Sequence, residues 1–142
     1  MIGAGRSATT MIQYLLDHAE SGNWEVVVGD MQEELALEKV GNHPRGKGIY
    51  FDATDEAVRK EQISKSDLVI SLLPPTMHVL AAHDCLALKT HLVTASYVSD
   101  EMASLDAAAK AANLIFLNEV GVDPGIDHMS TMEMIERVRE QG

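Results

Sequence analysis

Gly3-Ala4-Gly5-Arg6-Ser7-Ala8 reads G-x-G-x-x-A. In such a turn the first glycine permits the tight bend, the second lets the backbone approach a pyrophosphate, and a small residue at Ala8 lets the next helix pack on its strand. The N–H groups and positive dipole end of that helix then face the phosphates, so the backbone does most of the binding and Arg6 adds a charge. Asp30 lies 22 residues beyond Ala8, near the roughly 20-residue interval at which an acid meets the adenosine ribose. Its carboxylate accepts hydrogen bonds from ribose hydroxyls and repels a 2′-phosphate, and neither Met31 nor Gln32 supplies a cation for one. The expected cofactor is NAD in preference to NADP. An N-cap role for Asp30 on the following helix is the structural alternative, and both roles can hold together.

Other chemistry-bearing residues stand where strands are expected to end. Asp52 follows a short strand, and a carboxylate and backbone amides there would lie beside the adenine; Thr54 and Asp55 read instead as a helix N-cap. The backbone of Ser71, Leu72, Leu73 and Pro74 leaves another strand end across from the glycine turn, on the nicotinamide side. Tyr97 reads equally as a substrate contact and as a packing tyrosine. Asp123 is held by Pro124-Gly125 after a strand end, and Asp127 and His128 begin the last helix. His78 and His83 are five residues apart and do not face one another as an i, i+4 metal pair would, so no metal site is expected. They read as capping or surface histidines, with His78 at the helix start within reach of the cofactor. Cys85 sits in an apolar helical pattern and reads as a buried structural thiol.

The elements that must position these residues follow from hydrophobic period. Ala8, Met11, Ile12, Leu15, Leu16 and Ala19 recur at helical spacing, with Gly22 placed to end the helix. Val26-Val27-Val28 marks an interior parallel strand over Glu25 to Gly29, followed by a helix from Gln32 to Val40. Gly48 to Phe51 is a short strand, Asp55 to Ile63 a helix, and Asp67 to Leu73 an apolar strand that stops at Pro74-Pro75. A helix from about Met77 to Leu88 precedes the strand His91 to Ala95. Ser99 caps a helix that runs to about Ala112 and stops at Asn113; Leu114 to Leu117 is the last strand, and Asp127 to Glu140 the last helix. Only Met1 and Ile2 precede Gly3 where about five strand residues are typical, so the chain is expected to begin inside its first strand. The helix that stops near the other end adds to the impression of a piece of something longer. The expectation is an α/β fold, a doubly wound parallel sheet of the Rossmann type with about six strands in the order 3-2-1-4-5-6.

The totals narrow the function classes. At 142 residues the chain fits one domain, and its net charge of -11 argues against nucleic acid and anionic membrane as partners. A single cysteine allows no intrachain disulfide and makes a reducing cytoplasm the expected setting. No apolar run reaches the roughly 18 residues that span a bilayer, and no signal segment is seen. The expected partner is a small molecule, and a homo-oligomer is left open.

At SLLPPTMH (Ser71 to His78), LVTASYVS (Leu92 to Ser99) and NEVGVDPGIDHM (Asn118 to Met129) the chain resembles the saccharopine dehydrogenase family, in its saccharopine reductase branch. The resemblance runs over essentially all of the chain. It implies a nicotinamide dinucleotide on this Rossmann domain and a larger, absent domain that holds most of the substrate. The implied reaction joins or splits glutamate and aminoadipate semialdehyde through an imine, in lysine metabolism. By the same resemblance Gly3, Gly5, Arg6, Ser7 and Ala8 hold the pyrophosphate, Asp30 the ribose, Asp52 and Ala53 the adenine, and Ser71, Leu72, Leu73 and Pro74 the nicotinamide side, while Tyr97 and Asp123 face the substrate. Pro75 departs from the family, whose members often carry an aromatic residue there. Two rivals remain: the related polyamine-forming carboxynorspermidine and homospermidine synthases, and a non-catalytic nucleotide-sensing module, which leaves the Asp-Pro-Gly-Ile-Asp-His stretch unexplained.

Overall fold

The computed structural model describes residues 1–141. Among the described residues there are five strands: β1 (Val26–Asp30), β2 (Gly46–Tyr50), β3 (Leu68–Ser71), β4 (His91–Thr94) and β5 (Phe116–Leu117). All pair in parallel, β1 with β2 from Val26 opposite Gly46, β3 with β4 from Leu68 opposite His91, and β4 with β5 from Leu92 opposite Phe116. The expected sixth strand, first in the chain, is reduced to Ile2, which bridges Gly29 on one side and Ser71 on the other. Ile2 donates to the Ile70 carbonyl at 2.8 Å, Leu72 N–H donates to the Ile2 carbonyl at 2.8 Å, and Gly29 N–H donates to the Met1 carbonyl at 2.9 Å. Ile2 thus stands between β1 and β3, and the lateral sequence is β2, β1, Ile2, β3, β4, β5.

The described residues form eight α-helices: α1 (Thr9–Asp17), α2 (Ala19–Gly22), α3 (Glu33–Val40), α4 (Glu56–Ile63), α5 (His78–Leu88), α6 (Asp100–Ser104), α7 (Asp106–Ala111) and, after the last strand, α8 (Ile126–Gln141). Two of the expected helices are interrupted, the first at His18 and the fifth at Leu105. Gly22 is not the stop of the first helical run. Asn23 takes the left-handed conformation (φ 54°) and its N–H reaches the Glu20 carbonyl, since asparagine tolerates that region better than other side chains. Asn113 (φ 57°) ends α7 in the same way, as expected, and Lys89 (φ 63°) ends α5.

Two apolar clusters hold the layers. One joins α1, α3 and β1 through Ile12, Leu16, Val28, Ala36 and Val40; the other joins α4, α5, α6, β3 and β4 through Ile63, Val69, Ala82, Cys85, Leu92 and Met102. Cys85 is buried as expected, and burial pushes its thiol pKa up to about 12, so it packs as a small apolar group. Arg59 on α4 is buried: its Nε donates to Asp84 Oδ2 of α5 at 2.7 Å and its Nη1 to the Ala53 carbonyl at 2.8 Å.

Candidate functional site

Because every strand runs the same way, the carboxyl ends line one edge of the sheet. The glycine turn, Asp30, Asp52, the Leu72 loop, Tyr97 and the loop after β5 all leave from that edge. Gly3 adopts φ +102°, a conformation that side chains rarely take, and its N–H donates to the Gly29 carbonyl at 2.8 Å. A Cβ at Gly3 would stand 3.0 Å from the Leu72 carbonyl oxygen, so the glycine turn lies directly against the loop after β3. At Gly5 a Cβ would meet nothing within 4 Å, which leaves that side of the turn open to a ligand. Ala8 is buried in the α1 cluster, where a larger side chain has no room, while Arg6 and Ser7 are exposed. Arg6–Ala8 forms one 3-10 turn and α1 begins only at Thr9.

Asp30 closes this turn from the neighbouring strand. Its Oδ2 accepts from Ala4 N–H at 2.7 Å and its Oδ1 from Gln32 N–H at 2.9 Å. The N-cap of α3 is Gln32, so the capping alternative for Asp30 is replaced by a tie between the end of β1 and the glycine turn. Asp52 Oδ1 accepts from both the N–H and the hydroxyl of Thr54, at 2.8 and 2.7 Å, and these bonds hold its carboxyl below the usual carboxylate range. Asp55 caps α4 as expected, accepting from Ala57 N–H and Val58 N–H. Ala53 is buried, and it is its carbonyl that is occupied by Arg59.

On the other side of the turn, Leu72 and Leu73 pack partly into the two clusters, and Pro74 precedes a 3-10 turn over Pro75–Met77. The Ser71 hydroxyl points inward to His78 Nδ1 at 2.8 Å, and His78 Nε2 lies 2.8 Å from Ser96 Oγ. His78 is therefore neither a surface nor a capping residue: it is 3% exposed, and burial lowers its pKa, keeping the ring neutral. The signal for this was present in the sequence, since His78 shares a helical face with Ala81, Ala82 and Cys85, all buried. His83 is exposed, as expected.

Tyr97 and Asp123, singled out separately, meet. The Tyr97 hydroxyl donates to Asp123 Oδ1 at 2.5 Å, and this bond pushes the phenol pKa up to about 12. Tyr97 is 59% exposed, so its hydroxyl is not tucked into a core as a packing tyrosine's would be. Asp123 is presented by a tight loop in which Gly121 N–H donates to the Pro124 carbonyl at 2.9 Å. Gly125 (φ +145°) closes it, and a Cβ there would lie 2.2 Å from the Gly121 carbonyl oxygen. Asp127 Oδ1 accepts from Gly125 N–H at 3.1 Å and lies 3.0 Å from His128 Nδ1, whose ring meets Tyr97 edge to face. Both residues belong to α8, so they brace the loop that carries Asp123. Sequence reasoning missed Glu119 (φ +63°), whose N–H donates to the Ser96 carbonyl and whose Oε1 accepts from Val98 N–H, both at 3.1 Å. It also missed the Thr94 hydroxyl, which donates to Asn118 Oδ1 at 3.0 Å.

Residues 1–117 match the family model for the saccharopine dehydrogenase NADP binding domain. The chain is 45% identical over 142 residues to saccharopine dehydrogenase [NADP(+), L-glutamate-forming] of Pyricularia oryzae, covering 100% of this chain and 31% of that protein. It is 40% identical over 119 residues to alpha-aminoadipic semialdehyde synthase of Arabidopsis thaliana, covering 84% of this chain and 11% of that one. Among solved structures, apo saccharopine dehydrogenase (L-Glu forming) from Saccharomyces cerevisiae superposes with a TM-score of 0.85 at 29% identity, over 98% of this chain and 30% of that chain. The chain thus spans less than a third of the length of these relatives. They are oxidoreductases, which favours the saccharopine reading over both the sensor module and the polyamine-forming synthases. No helix among the described residues is long and apolar enough to cross a membrane. A Rossmann-type parallel sheet, a glycine turn tied to an acidic strand end, and this family match lead to one assignment: the chain belongs to the saccharopine dehydrogenase family, as its nicotinamide-dinucleotide-binding domain.

Proposed function

We propose that the chain is the cofactor half of an oxidoreductase that acts on the CH–NH bond of an amino-acid donor, interconverting saccharopine with glutamate and aminoadipate semialdehyde. The observation that carries this reading is the Tyr97–Asp123 pair, set on the same sheet edge as the glycine turn. The open side of the turn at Gly5 fits a pyrophosphate, with Gly3, Arg6, Ser7 and Ala8 completing the cradle. Asp30 meets the ribose, Asp52 and Ala53 lie toward the adenine, and the backbone from Ser71 to Pro74 borders the nicotinamide. When bound, the cofactor supplies hydride transfer. The residues do the rest: Asp123 holds the Tyr97 proton and, with Asp127 and Glu119 nearby, makes this edge anionic. Such an edge favours the amine of the substrate; its carboxylates need cations from another part of the protein, since Arg6 is the cation at the turn.

NAD is the preferred cofactor in this proposal. The matched model and the fungal relative carry NADP in their names, yet here the Asp30 carboxylate is locked beside the turn, where it repels a 2′-phosphate. A reducing compartment, the cytoplasm in the first instance, fits the single buried cysteine; the bovine relative is named mitochondrial. Calorimetric titration with NADH and NADPH tests the reading. Tighter NADH binding is expected; tighter NADPH binding would overturn the NAD preference, and binding of neither would overturn the dinucleotide site. The chain alone is expected to bind cofactor without oxidising saccharopine, and measurable turnover would sink that part.

A further inference from the structure

We propose that His78 is a positioning residue which, through Ser71 on one side and Ser96 on the other, fixes the nicotinamide-facing loop relative to the loop that carries Tyr97. The proposal rests on the functional reading above for what the two loops face. Its geometry stands apart from that reading. Ser71 is 0% exposed and His78 3%, so this Ser–His pair is closed to any substrate and does not work as a nucleophile with its base. An apolar pair in this space would join α5 to β3 without the burden of burying polar groups. What the imidazole adds is a rigid ring with a hydrogen-bonding atom at each end, so two hydroxyls on adjacent strand ends are set at a fixed separation.

The chain of bonds continues past Ser96. The Ser96 carbonyl accepts from Glu119 N–H, and Val98 N–H donates back to Glu119 Oε1. Tyr97 therefore sits between two residues that are each held in place, although neither it nor Val98 is buried. Neither Tyr97 nor Val98 belongs to the two apolar clusters, so the loop is held by hydrogen bonds and by the edge contact of Tyr97 with the His128 ring. His78 is the link that refers the loop to β3 and hence to Leu72, the residue against which Gly3 is pressed.

The test uses the 142-residue chain labelled with 3-fluorotyrosine. It contains three tyrosines, and the Tyr97 fluorine resonance is assigned by its loss in Tyr97→Phe and by its shift in Asp123→Ala. In His78→Phe and in Ser96→Ala this resonance should move to the Asp123→Ala position. His78→Asn and His78→Gln, whose amide groups stand near the places of Nδ1 and Nε2 respectively, should restore part of the shift. An unchanged Tyr97 signal in a folded His78→Phe chain overturns the proposal; if that variant does not fold, an unchanged signal in Ser96→Ala, a half-buried site, overturns it instead. NADH binding to His78→Phe should weaken about tenfold, and unchanged affinity overturns the nicotinamide half. A wild-type chain that binds no NADH overturns the functional reading, and the fluorine signal then decides the loop coupling by itself.

Discussion

Asp30 shows how one side chain can serve two ends. Both its oxygens accept from backbone N–H groups, so removing it frees the Ala4 amide inside the glycine turn and takes away the negative charge beside that turn. Asp30→Ala is expected to weaken NADH binding about tenfold and to shift the NADH-to-NADPH preference toward NADPH, because the repulsion is gone. An unchanged ratio in calorimetry would refute the discriminating role. In an enzyme that carries this domain, Asp123→Ala should lower kcat by about 10²- to 10⁴-fold while leaving the cofactor Kd unchanged; a sensor has no turnover to lose. His78 adds a pH signature. Burial holds its folded pKa below the ordinary imidazole value of 6.5, so its contribution to stability is complete above that value. The contribution is lost as the pH falls toward the lowered folded pKa, where the unfolded chain takes up the proton first. Melting curves at pH 7.5 and 5.5 should separate more for the wild type than for His78→Gln; equal separation would remove His78 as the cause.

At the level of elements, the Arg59–Asp84 pair binds α4 to α5 with both side chains more than nine-tenths buried. Asp84→Ala strands a buried guanidinium and should cost about 3–5 kcal/mol, read as a fall in urea midpoint. The double variant Arg59→Met, Asp84→Ala should recover much of that loss, and no recovery would show that the pair is not what the single variant disrupts. Strand bodies were legible because Val26 to Val28 and the apolar runs ending at Ser71 and Thr94 are the kind of sequence a buried parallel sheet requires. The glycine turn and Asp30 were legible as a spacing. Helix interruptions at His18 and Leu105 were not, since the apolar period runs on through both breaks. Tyr97 and Asp123 were each visible at a strand end, but their bond joins residues 26 apart through two loops, and periodicity has no reach there. His78 was legible and misread: it shares a helical face with the buried Ala81, Ala82 and Cys85, and that face buries a polar residue along with its apolar neighbours.

Across the whole molecule, a net charge of -11 opposes an anionic dinucleotide at long range. Raising the salt from 10 to 150 mM, experimental settings at about the scale where screening becomes short-ranged, should speed NADH association in stopped flow; a slower rate would mean that local attraction at Arg6 governs approach. The sheet carries a second consequence. Its β1–β2 and β3–β5 strands pack on different apolar clusters and meet through residues 1–3, with Phe51 and Ala53 after β2 and Leu72 after β3 reaching across. A dinucleotide lying from Asp30 to Pro74 would cross that seam and act as a splint. Without ligand, amide exchange should report two groups of strands that open with different free energies; with NADH the two should open as one. The cofactor would then be part of what makes this fold cooperative, as well as what it carries.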